Sequence, residues 1–347
     1  MATKKFDNYK LNMKNKFKGY YKPQPEDLKK IWDDCIFIFD TNVLFDFYRY
    51  SDDTVGVLFS IFEKLEKNIW IPHWVGLEYH RGLEERIKEQ VDKYTSTLKD
   101  LSNFRDKIKT QREHPFLSLE LQEKAQVFYE EYDKELSAQK KKLKELIVDN
   151  PVKERIATLI GDNIGEELTD EEITEIIKIG DERLDKNVPP GYIDYKEKRS
   201  RPGLDKYGDY IIWYQILKKI QENKKSFLFI TFDTKEDWYK LIKFNNSKVL
   251  FGPRPELIEE FIKTCGTTNQ EMWLYSTPDF IEYAIKHLNI DIEDSQLEKV
   301  KEETKNLIKN EEDCLSEVKN ENESTDYIEK NTIGGSVSNA TESNSTI

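Results

Sequence analysis

The sequence predicts an α/β fold with a mostly parallel central sheet that carries helices on both of its faces. Two apolar runs rich in β-branched and aromatic residues, at 35–39 and 226–231, are typical of strands buried on both sides. Segments of helical periodicity alternate with such runs, and this alternation indicates a parallel sheet. Between them, residues 84–185 are dense in Lys and Glu and predict a long helical insertion.

The N-terminal half of the chain alternates strand and helix after a basic and aromatic arm. Its predicted elements are, in order, the arm at 1–34, a strand at 35–39, a helix at 54–66, a strand at 69–71 and a helix from 74 to about 88. The apolar residues of the first helix lie on one stripe, as expected for a helix that packs on a sheet.

The insertion is predicted to be a helical hairpin with a break near His114-Pro115, because Leu and Ile recur at helical spacing. Two shorter helices are predicted at 151–160 and 170–179, and the second is opened by a capping box. Residues 186–206 are predicted to be a loop, since the Val-Pro-Pro-Gly-Tyr motif suits neither a helix nor a central strand.

The α/β alternation resumes in the C-terminal half. Its predicted elements are, in order, a helix that begins at Gly208-Asp209, a strand at 226–231, a helix at 234–243, a strand at 249–252, a helix at 255–263 and a helix at 277–288. We therefore predict a globular domain at 35–290 between the arm and a tail at 291–347. The tail is acidic and rich in Asn, Ser and Thr, so we expect it to be mostly disordered.

The composition allows a sizeable core and excludes several classes of site. Hydrophobic residues make up 37% of the 347 residues, while the charged fraction of 35% predicts long solvated helices. The three cysteines have no metal or redox spacing and indicate free thiols in a reducing compartment. The chain shows no secretory leader and no apolar run of membrane length, so we expect a cytoplasmic protein without a membrane partner.

The formal charge of −13 is concentrated in the tail, where residues 291–347 hold 15 acidic and 6 basic residues. Negative charge usually argues against a nucleic-acid partner. Here most of the negative charge lies in the tail, so it does not exclude a nucleic-acid partner. It argues only against a protein that binds nucleic acid non-specifically and with high affinity. Nucleotide-dependent chemistry has little support, because the sequence contains no Gly-rich phosphate loop.

Four carboxylates follow predicted strands or lie in the first turns of predicted helices: Asp40, Glu78, Asp209 and Asp233. Ligands of parallel sheets bind at the carboxyl ends of the strands, so we expect these side chains to converge there. Converging carboxylates repel one another unless a divalent cation lies between them. Oxygen ligands without cysteine or paired histidines favour Mg²⁺ or Mn²⁺ over zinc, and a phosphodiester is the natural substrate of such a site.

Each of these residues also has a structural interpretation. Asp40 and Asp233 are good helix N-caps, Asp209 complements a helix dipole, and a Glu78 that faces outward is simply one of 67 acidic residues. Three further residues are supporting candidates with alternatives of their own: Asn42 orients Asp40 or stabilises a turn, Arg81 binds phosphate or pairs with a nearby glutamate, and Asp237 reaches the site or compensates a dipole. The run Lys140-Lys141-Lys142 is either a solvated helix face or a contact for nucleic acid.

Between residues 36 and 255 the chain contains a set of motifs: Phe39-Asp40-Thr41-Asn42-Val43-Leu44, Ile69-Trp70-Ile71-Pro72-His73, Leu77-Glu78, Pro189-Pro190-Gly191-Tyr192-Ile193-Asp194, Gly208-Asp209-Tyr210-Ile211-Ile212-Trp213, Phe229-Ile230-Thr231-Phe232-Asp233 and Gly252-Pro253-Arg254-Pro255. Together these motifs resemble the PIN-like nucleases, in particular a bacterial branch with a long helical insertion. The resemblance implies a PIN-like three-layer fold.

The resemblance also implies a function. It assigns Asp40, Glu78, Asp209 and Asp233 to an acidic quartet that binds one or two Mg²⁺ or Mn²⁺ ions and cleaves single-stranded or structured RNA, so RNA is expected as the nucleic-acid partner ahead of DNA. Asp194 takes a supporting role, and toxin or phage-defence activity is associated with the branch. Phe232 stands where the branch usually has an acidic residue, which implies a one-metal or weakly active member.

Two other functions remain alternatives at the level of sequence. A phosphatase with Asp40 as its nucleophile needs a second Asp two residues later, where this chain has Asn42. A non-catalytic interaction module would use the helical insertion to bind another protein or a second copy of the chain, and Phe232 favours this reading.

Overall fold

The computed structural model describes residues 13, 14, 16–109, 117–244, 247–266 and 270–305. The chain divides into two compact units, Met1–Asp291 and Ile292–Ile347. In the second unit, residues 294–305 are helical, and the rest of the predicted disordered tail lies outside the described residues. The predicted break at His114-Pro115 also falls outside them, as do residues 1–12 and 15 of the arm.

The first unit has the strands β1 (Cys35–Phe39), β2 (Ile69–Trp70), β3 (Ser226–Ile230), β4 (Tyr239–Phe244), β5 (Ser247–Pro253) and β6 (Met272–Tyr275). The helices that can be followed from end to end are α1 (Pro25–Asp33), α2 (Thr41–Asp46), α3 (Asp52–Leu65), α4 (His73–Lys109), α5 (Leu119–Glu145), α6 (Pro151–Ile160), α7 (Asp170–Asp185), α8 (Tyr192–Lys198), α9 (Gly208–Asn223), α10 (Pro255–Cys265) and α11 (Thr277–His287).

The central sheet is parallel and has the strand order β2-β1-β3-β6, which confirms the predicted α/β fold. Every residue of β1 is buried, because helices cover the sheet. Phe39 pairs with Ile230, and Ile230 pairs with Tyr275, so the three strands end at the same level. Asp40 and Thr231 therefore leave neighbouring strands side by side at the carboxyl edge of the sheet.

Aromatic packing fixes the segments that carry the C-terminal carboxylates. Trp213 of α9 and Trp238, in the turn after β3, are buried with their rings 6.3 Å apart, and Trp238 lies 4.9 Å from the ring of Phe229. Burying about 200 Å² of a Trp at roughly 25 cal/mol per Å² contributes about 5 kcal/mol of transfer free energy. The start of α9 and the turn after β3 are thus anchored on the same strand.

The prediction of a helix at 234–243 is wrong. That segment forms a turn and then β4, which pairs antiparallel with β5. The apolar residues of 238–244 fit either period over so short a length, and β5 supplies the backbone hydrogen bonds that decide for a strand. The predicted loop at 186–206 contains the short helix α8, and β6 was not predicted.

The insertion is helical as predicted, but its first helix is longer than expected. The predicted helix at 74–88 and the first arm of the hairpin form one helix of 37 residues, α4, which packs against α5. Helices α6 and α7 confirm the two shorter predictions, and Thr169 forms the expected capping box. Across the described residues, no helix has the length and apolar character needed to cross a membrane.

The Lys140-Lys141-Lys142 run lies on the exposed surface of α5. Lys142 forms a 2.9 Å ion pair with Asp52 at the start of α3, and Lys141 lies 3.8 Å from Glu145. Two of the three lysines are therefore already beside carboxylates, which favours a solvated helix face over a contact for nucleic acid.

Candidate metal centre

Asp40 lies at the carboxyl end of β1, where it caps the short helix α2. Its Oδ1 accepts a 2.7 Å hydrogen bond from the backbone N–H of Thr41, and its Oδ2 accepts one of 2.7 Å from the hydroxyl of Thr231. Burial raises the pKa of Asp40 to about 7, and the negative charges of Glu78 and Asp233 add to this rise. The hydrogen bonds from Thr231 and Thr41 favour the ionised form and lower the pKa, but their effect is smaller. Capping and ligand binding are compatible, because each oxygen retains a lone pair.

Glu78 reaches the same edge from the second turn of α4. Its Oε1 accepts a 2.8 Å hydrogen bond from Trp74, four residues earlier, and its Oε2 accepts one of 2.8 Å from the hydroxyl of Thr41. Burial raises the pKa of Glu78 although both hydrogen bonds oppose the rise. A Cβ on Gly208 would lie 3.0 Å from Oε1 of Glu78, so the start of α9 lies directly beside this carboxylate.

A chain of hydrogen bonds joins these groups to Asp233. Thr41 connects Glu78 with Asp40, and Thr231 connects Asp40 with the backbone N–H of Asp233, which donates to its hydroxyl over 3.0 Å. Both threonines are buried and follow strands at the edge of the sheet. The network therefore holds the carboxylates of Asp40 and Glu78 and the backbone at Asp233. Of the predicted quartet, only Asp209 and Asp233 belong to the close group of carboxylates found among the described residues.

Asp209 and Asp233 converge with Asp194, for which sequence analysis proposed only a supporting role. One carboxylate oxygen from each of the three lies within 4.8 Å of the other two. Asp209 lies in the first turn of α9, and its Oδ2 is buried without a hydrogen-bond partner among the described residues. Burial, followed by the charges of Asp194, Asp233 and Asp237, raises the pKa of Asp209 well above its usual value.

Gly191 allows this convergence. Its φ of +87° is in the left-handed region, and a Cβ at this position would lie 2.8 Å from Cβ of Asp209. Only glycine combines this backbone conformation with so close an approach. The segment that leads into α8 can therefore pass directly over Asp209 and bring Asp194 to it.

Two lysines lie among the carboxylates. Lys235 forms ion pairs with Asp194 and Asp233 at 2.5 and 3.0 Å, and Lys198 pairs with Asp194 at 2.7 Å. Burial disfavours the charged form of Lys235 and so lowers its pKa. The negative charges of Asp233 and Asp194 have the larger combined effect, and they raise the pKa of Lys235 above its usual value. In this state the ammonium group of Lys235 is the cation that holds the two carboxylates together.

Asp237 positions the wall of the site. It is fully buried, its Oδ2 accepts a 3.2 Å hydrogen bond from the backbone N–H of Ile193, and its Oδ1 has no partner among the described residues. Burial and the charge of Asp233 raise the pKa of Asp237 to about 6. Because Ile193 precedes Asp194, this contact ties the start of α8 to the turn that carries Asp233.

The remaining predicted residues lie around the site. Asn42 is half-buried in the first turn of α2, and Arg81 is exposed on α4, with Asp205 at 3.9 Å as its ion-pair partner instead of a neighbouring glutamate. Phe232 is buried, and the guanidinium of Arg49 lies 5.1 Å from its ring centre. The position that is usually acidic in the resembled branch therefore contributes apolar packing here.

Sequence reasoning assigned no role to Lys235, Lys198 or the two threonines. Lys235 follows Asp233 by two residues, so the sequence showed that it lies near the site. The sequence did not show that its side chain points toward the carboxylates. Lys198 gave a weak local signal, since it is four residues after Asp194 on one helix. The side-chain contacts of Thr41 and Thr231 span 37 and 191 residues and had no local signal.

The residues present fit a divalent cation. Asp194, Asp209 and Asp233 form a close group of carboxylates, with Lys235 paired to two of them and Lys198 to one. The charges of Asp237 and Asp40 act on the same group, and Glu78 is joined to it through Thr41 and Asp40. The atoms that could bind the ion are all carboxylate oxygens, which suits hard cations such as Mg²⁺, Mn²⁺ or Ca²⁺. The unpartnered oxygen of Asp209 is the clearest sign, because a buried polar atom without a partner is costly unless a ligand satisfies it.

In the absence of divalent cations, the protein should become less stable as the pH rises from about 5 to 8. Asp40 and Asp237 have folded-state pKa values of about 7 and about 6, above those of the unfolded chain, so the folded state binds more protons in this window. The free energy of unfolding then falls with pH, by on the order of a few kcal/mol. Thermal melting in EDTA across this range tests the sign, and a melting temperature that rises steadily would contradict it.

A comparison with protein-family models matches residues 36–257 to the family described as PIN like domain. The match covers more than half of the chain and includes every residue of the candidate centre. No curated protein and no solved structure matches the chain.

Proposed function

We propose that this chain, which belongs to the PIN-like domain family, is a metal-dependent endonuclease that hydrolyses phosphodiester bonds, with RNA as its substrate. PIN-like domains are generally nucleases and typically use divalent metal ions. The observation that carries the proposal is the buried, unpartnered oxygen of Asp209 beside Asp194 and Asp233. Such an arrangement is costly in a metal-free protein and favourable around a cation.

The proposed ligands are Asp40, Glu78, Asp209 and Asp233, with Mg²⁺ or Mn²⁺ as the ion. A divalent cation supplies positive charge that polarises the scissile phosphate and lowers the pKa of a water molecule. The chain's own part is to fix the oxygens: Thr41 and Thr231 hold Asp40, and Trp74 holds Glu78. Their hydrogen bonds fix the orientation of the Asp40 and Glu78 carboxylates before substrate binds.

Asp194 and the two lysines complete the proposed site. Asp194 lies close enough to Asp209 and Asp233 to join the ligand set when Lys235 moves aside. Lys198 and Lys235 offer positive charge to the phosphates of the substrate, and Arg81 offers more at the exposed rim. The preference for RNA and a role in toxicity or phage defence are parts of the proposal that rest on the resemblance of the motifs.

A catalytically weak interaction module is the second candidate, and Phe232 favours it. Its ring packs under Arg49, so this position offers no ligand for a second cation. The same observation is compatible with a nuclease that uses one metal ion. A measurement of metal-dependent cleavage distinguishes a one-metal nuclease from an interaction module.

Cleavage assays test the proposal on the full-length protein. We expect labelled RNA oligonucleotides to be cut internally in Mn²⁺ or Mg²⁺, to be stable in EDTA, and to be cut faster than DNA of the same sequence. A phosphatase would instead release phosphate from p-nitrophenyl phosphate and leave the oligonucleotides intact. Absence of cleavage with every divalent ion, for protein that binds Mn²⁺ in calorimetry, would favour the interaction module.

A further inference from the structure

The N-terminal arm is the most basic part of an acidic protein. Residues 1–24 contain seven lysines and one aspartate, whereas the whole chain has a formal charge of −13. Residues 16–24, which are described without a gap, include Lys16, Lys18 and Lys22 and no Asp or Glu. Solubility does not require this concentration of positive charge, because the rest of the chain is already far from neutral.

The described part of the arm packs against α10 and the segment before β6. Gly19 is buried against the start of α10, where a Cβ would lie 2.7 Å from Cα of Pro255, so only glycine fits. Lys18 also pairs with Glu271 at 3.4 Å, just before β6. The side chains of Tyr20, Tyr21 and Lys22 therefore project from a fixed backbone.

Beside the arm, the β4–β5 hairpin adds a lysine and an aromatic ring. The ammonium of Lys240 lies 4.7 Å from the ring centre of Phe251 and 5.3 Å from that of Tyr20, and the ammonium of Lys22 lies 5.4 Å from Phe251. Tyr20 remains 51% exposed. Within the described residues, no ion pair joins Lys22 or Lys240 to a carboxylate, although the charges of Lys240 and Glu256 attract each other at longer range.

We propose that Tyr20, Lys22, Lys240 and Phe251, termed the arm–hairpin site, bind single-stranded RNA next to the metal centre; the inference rests on the proposed function. Lysines interleaved with aromatic rings suit a single strand, whose phosphates meet the ammonium groups while its bases stack on the rings. The bases of a duplex are stacked on one another and cannot use such rings. A cavity of about 140 Å³ beside the site, lined partly by Tyr21 and Trp273, offers room for a further base.

The arm–hairpin site lies within reach of the metal centre. Lys240 follows Lys235 by five residues, so their Cα atoms are at most about 18 Å apart. The end of β5 is also tied to the turn that carries the carboxylates, because Arg254 donates a 3.2 Å hydrogen bond to the backbone carbonyl of Glu236. At roughly 3.4 Å per stacked nucleotide, about five nucleotides span this distance.

A purely structural role for the same contacts makes a different prediction. Exposed cation–π pairs are weakly stabilising, which is enough to help hold the arm on the hairpin. In that case, replacing the lysines lowers the melting temperature slightly and leaves RNA binding unchanged. The measurement must therefore separate binding from both stability and catalysis.

The test compares wild-type protein with the double variant Lys22→Ala/Lys240→Ala. Binding of a fluorescent oligouridylate of about 16 nucleotides is followed by anisotropy in EDTA, where no metal-dependent cleavage occurs. We expect the affinity to fall at least tenfold and the slope of log K against log salt to flatten by about 1.4, since each lost phosphate contact removes about 0.7. Tyr20→Ala should weaken binding and Tyr20→Phe should retain it, because phenylalanine preserves the stacking surface.

The matched control is Lys186→Ala/Lys286→Ala, which removes two exposed lysines elsewhere and should change neither affinity nor slope. Hydrolysis of bis(p-nitrophenyl) phosphate in Mn²⁺, a substrate too small to span both sites, should be equal in all variants. Unchanged affinity in Lys22→Ala/Lys240→Ala overturns the inference, as does equal binding of duplex RNA. A wild-type protein that binds RNA through this site but cleaves nothing overturns the proposed function and leaves the inference standing.

Discussion

Asp209→Asn is expected to abolish metal-dependent cleavage and, at the same time, to stabilise the metal-free protein. The carboxylate has a buried oxygen without a partner, and burial and its acidic neighbours raise its pKa well above the usual value. Removing this charge should lower activity at least 10²-fold, because a ligand and its charge are lost. It should raise the melting temperature in EDTA by on the order of 5 °C, since repulsion is relieved in the folded state.

Asp34→Asn is the matched control, because Asp34 precedes β1 at the opposite edge of the sheet and forms an exposed ion pair with Lys225. This variant should keep full activity and an unchanged melting temperature. The informative comparison is melting in EDTA and in Mn²⁺ for the three proteins. If Asp209→Asn is destabilised in EDTA, Asp209 has a structural role, and the assignment of the centre fails.

Lys235→Met is expected to make folding depend on a divalent cation. The ammonium group bridges Asp194 and Asp233, and without it these carboxylates face each other and Asp209 with no cation between them. Loss of a buried partner costs about 3–5 kcal/mol, which solvent screening of this partly exposed lysine reduces to roughly 2 kcal/mol. The melting temperature in EDTA should fall by roughly 4–8 °C.

Divalent cations should restore the stability of Lys235→Met, because the freed carboxylates bind the ion without competition from the ammonium group. At about 100 times the dissociation constant, bound Mn²⁺ contributes about 2.7 kcal/mol, enough to offset the loss. Lys186→Met, on an exposed pair with Glu182, serves as the control and should melt like the wild type in both conditions. Equal stabilisation of wild type and Lys235→Met by Mn²⁺ would show that Lys235 does not compete with the ion.

Part of the candidate site was predictable because its residues adjoin elements with strong local patterns. The apolar run of β1 indicated a strand buried on both faces, and Asp40 follows it directly. Parallel strands end at one edge, so the placement of Asp40 and Asp233 at the same edge followed from the fold class, whereas the pairing of their two strands came from the structure. The start of the helix predicted at 170–179 was equally accessible, because a capping box at Thr169 marks it within the sequence itself, although the helix continues to Asp185.

Other features depended on contacts between distant parts of the chain. The segment from Trp238 to Phe244 forms a strand because β5 pairs with it and because Trp238 is buried against Phe229. Its own residues allowed a helix equally well. Asp194 was predicted only in a supporting role, through the motif resemblance, and nothing in its own segment showed that it would meet Asp209 and Asp233.

Sequence by itself thus determined the fold class, the carboxyl edge as the place of the candidate site and the acidic residues proposed for it, because burial pattern and helix-start chemistry are local. Tertiary structure alone decided that Asp194 joins Asp209 and Asp233, that Lys235 lies between them, and that Thr41 and Thr231 orient Asp40. The physical reason is that these contacts depend on side-chain directions at separate chain segments. Such directions are fixed only when Gly191 lets the backbone pass over Asp209 and Asp237 holds Ile193 in place.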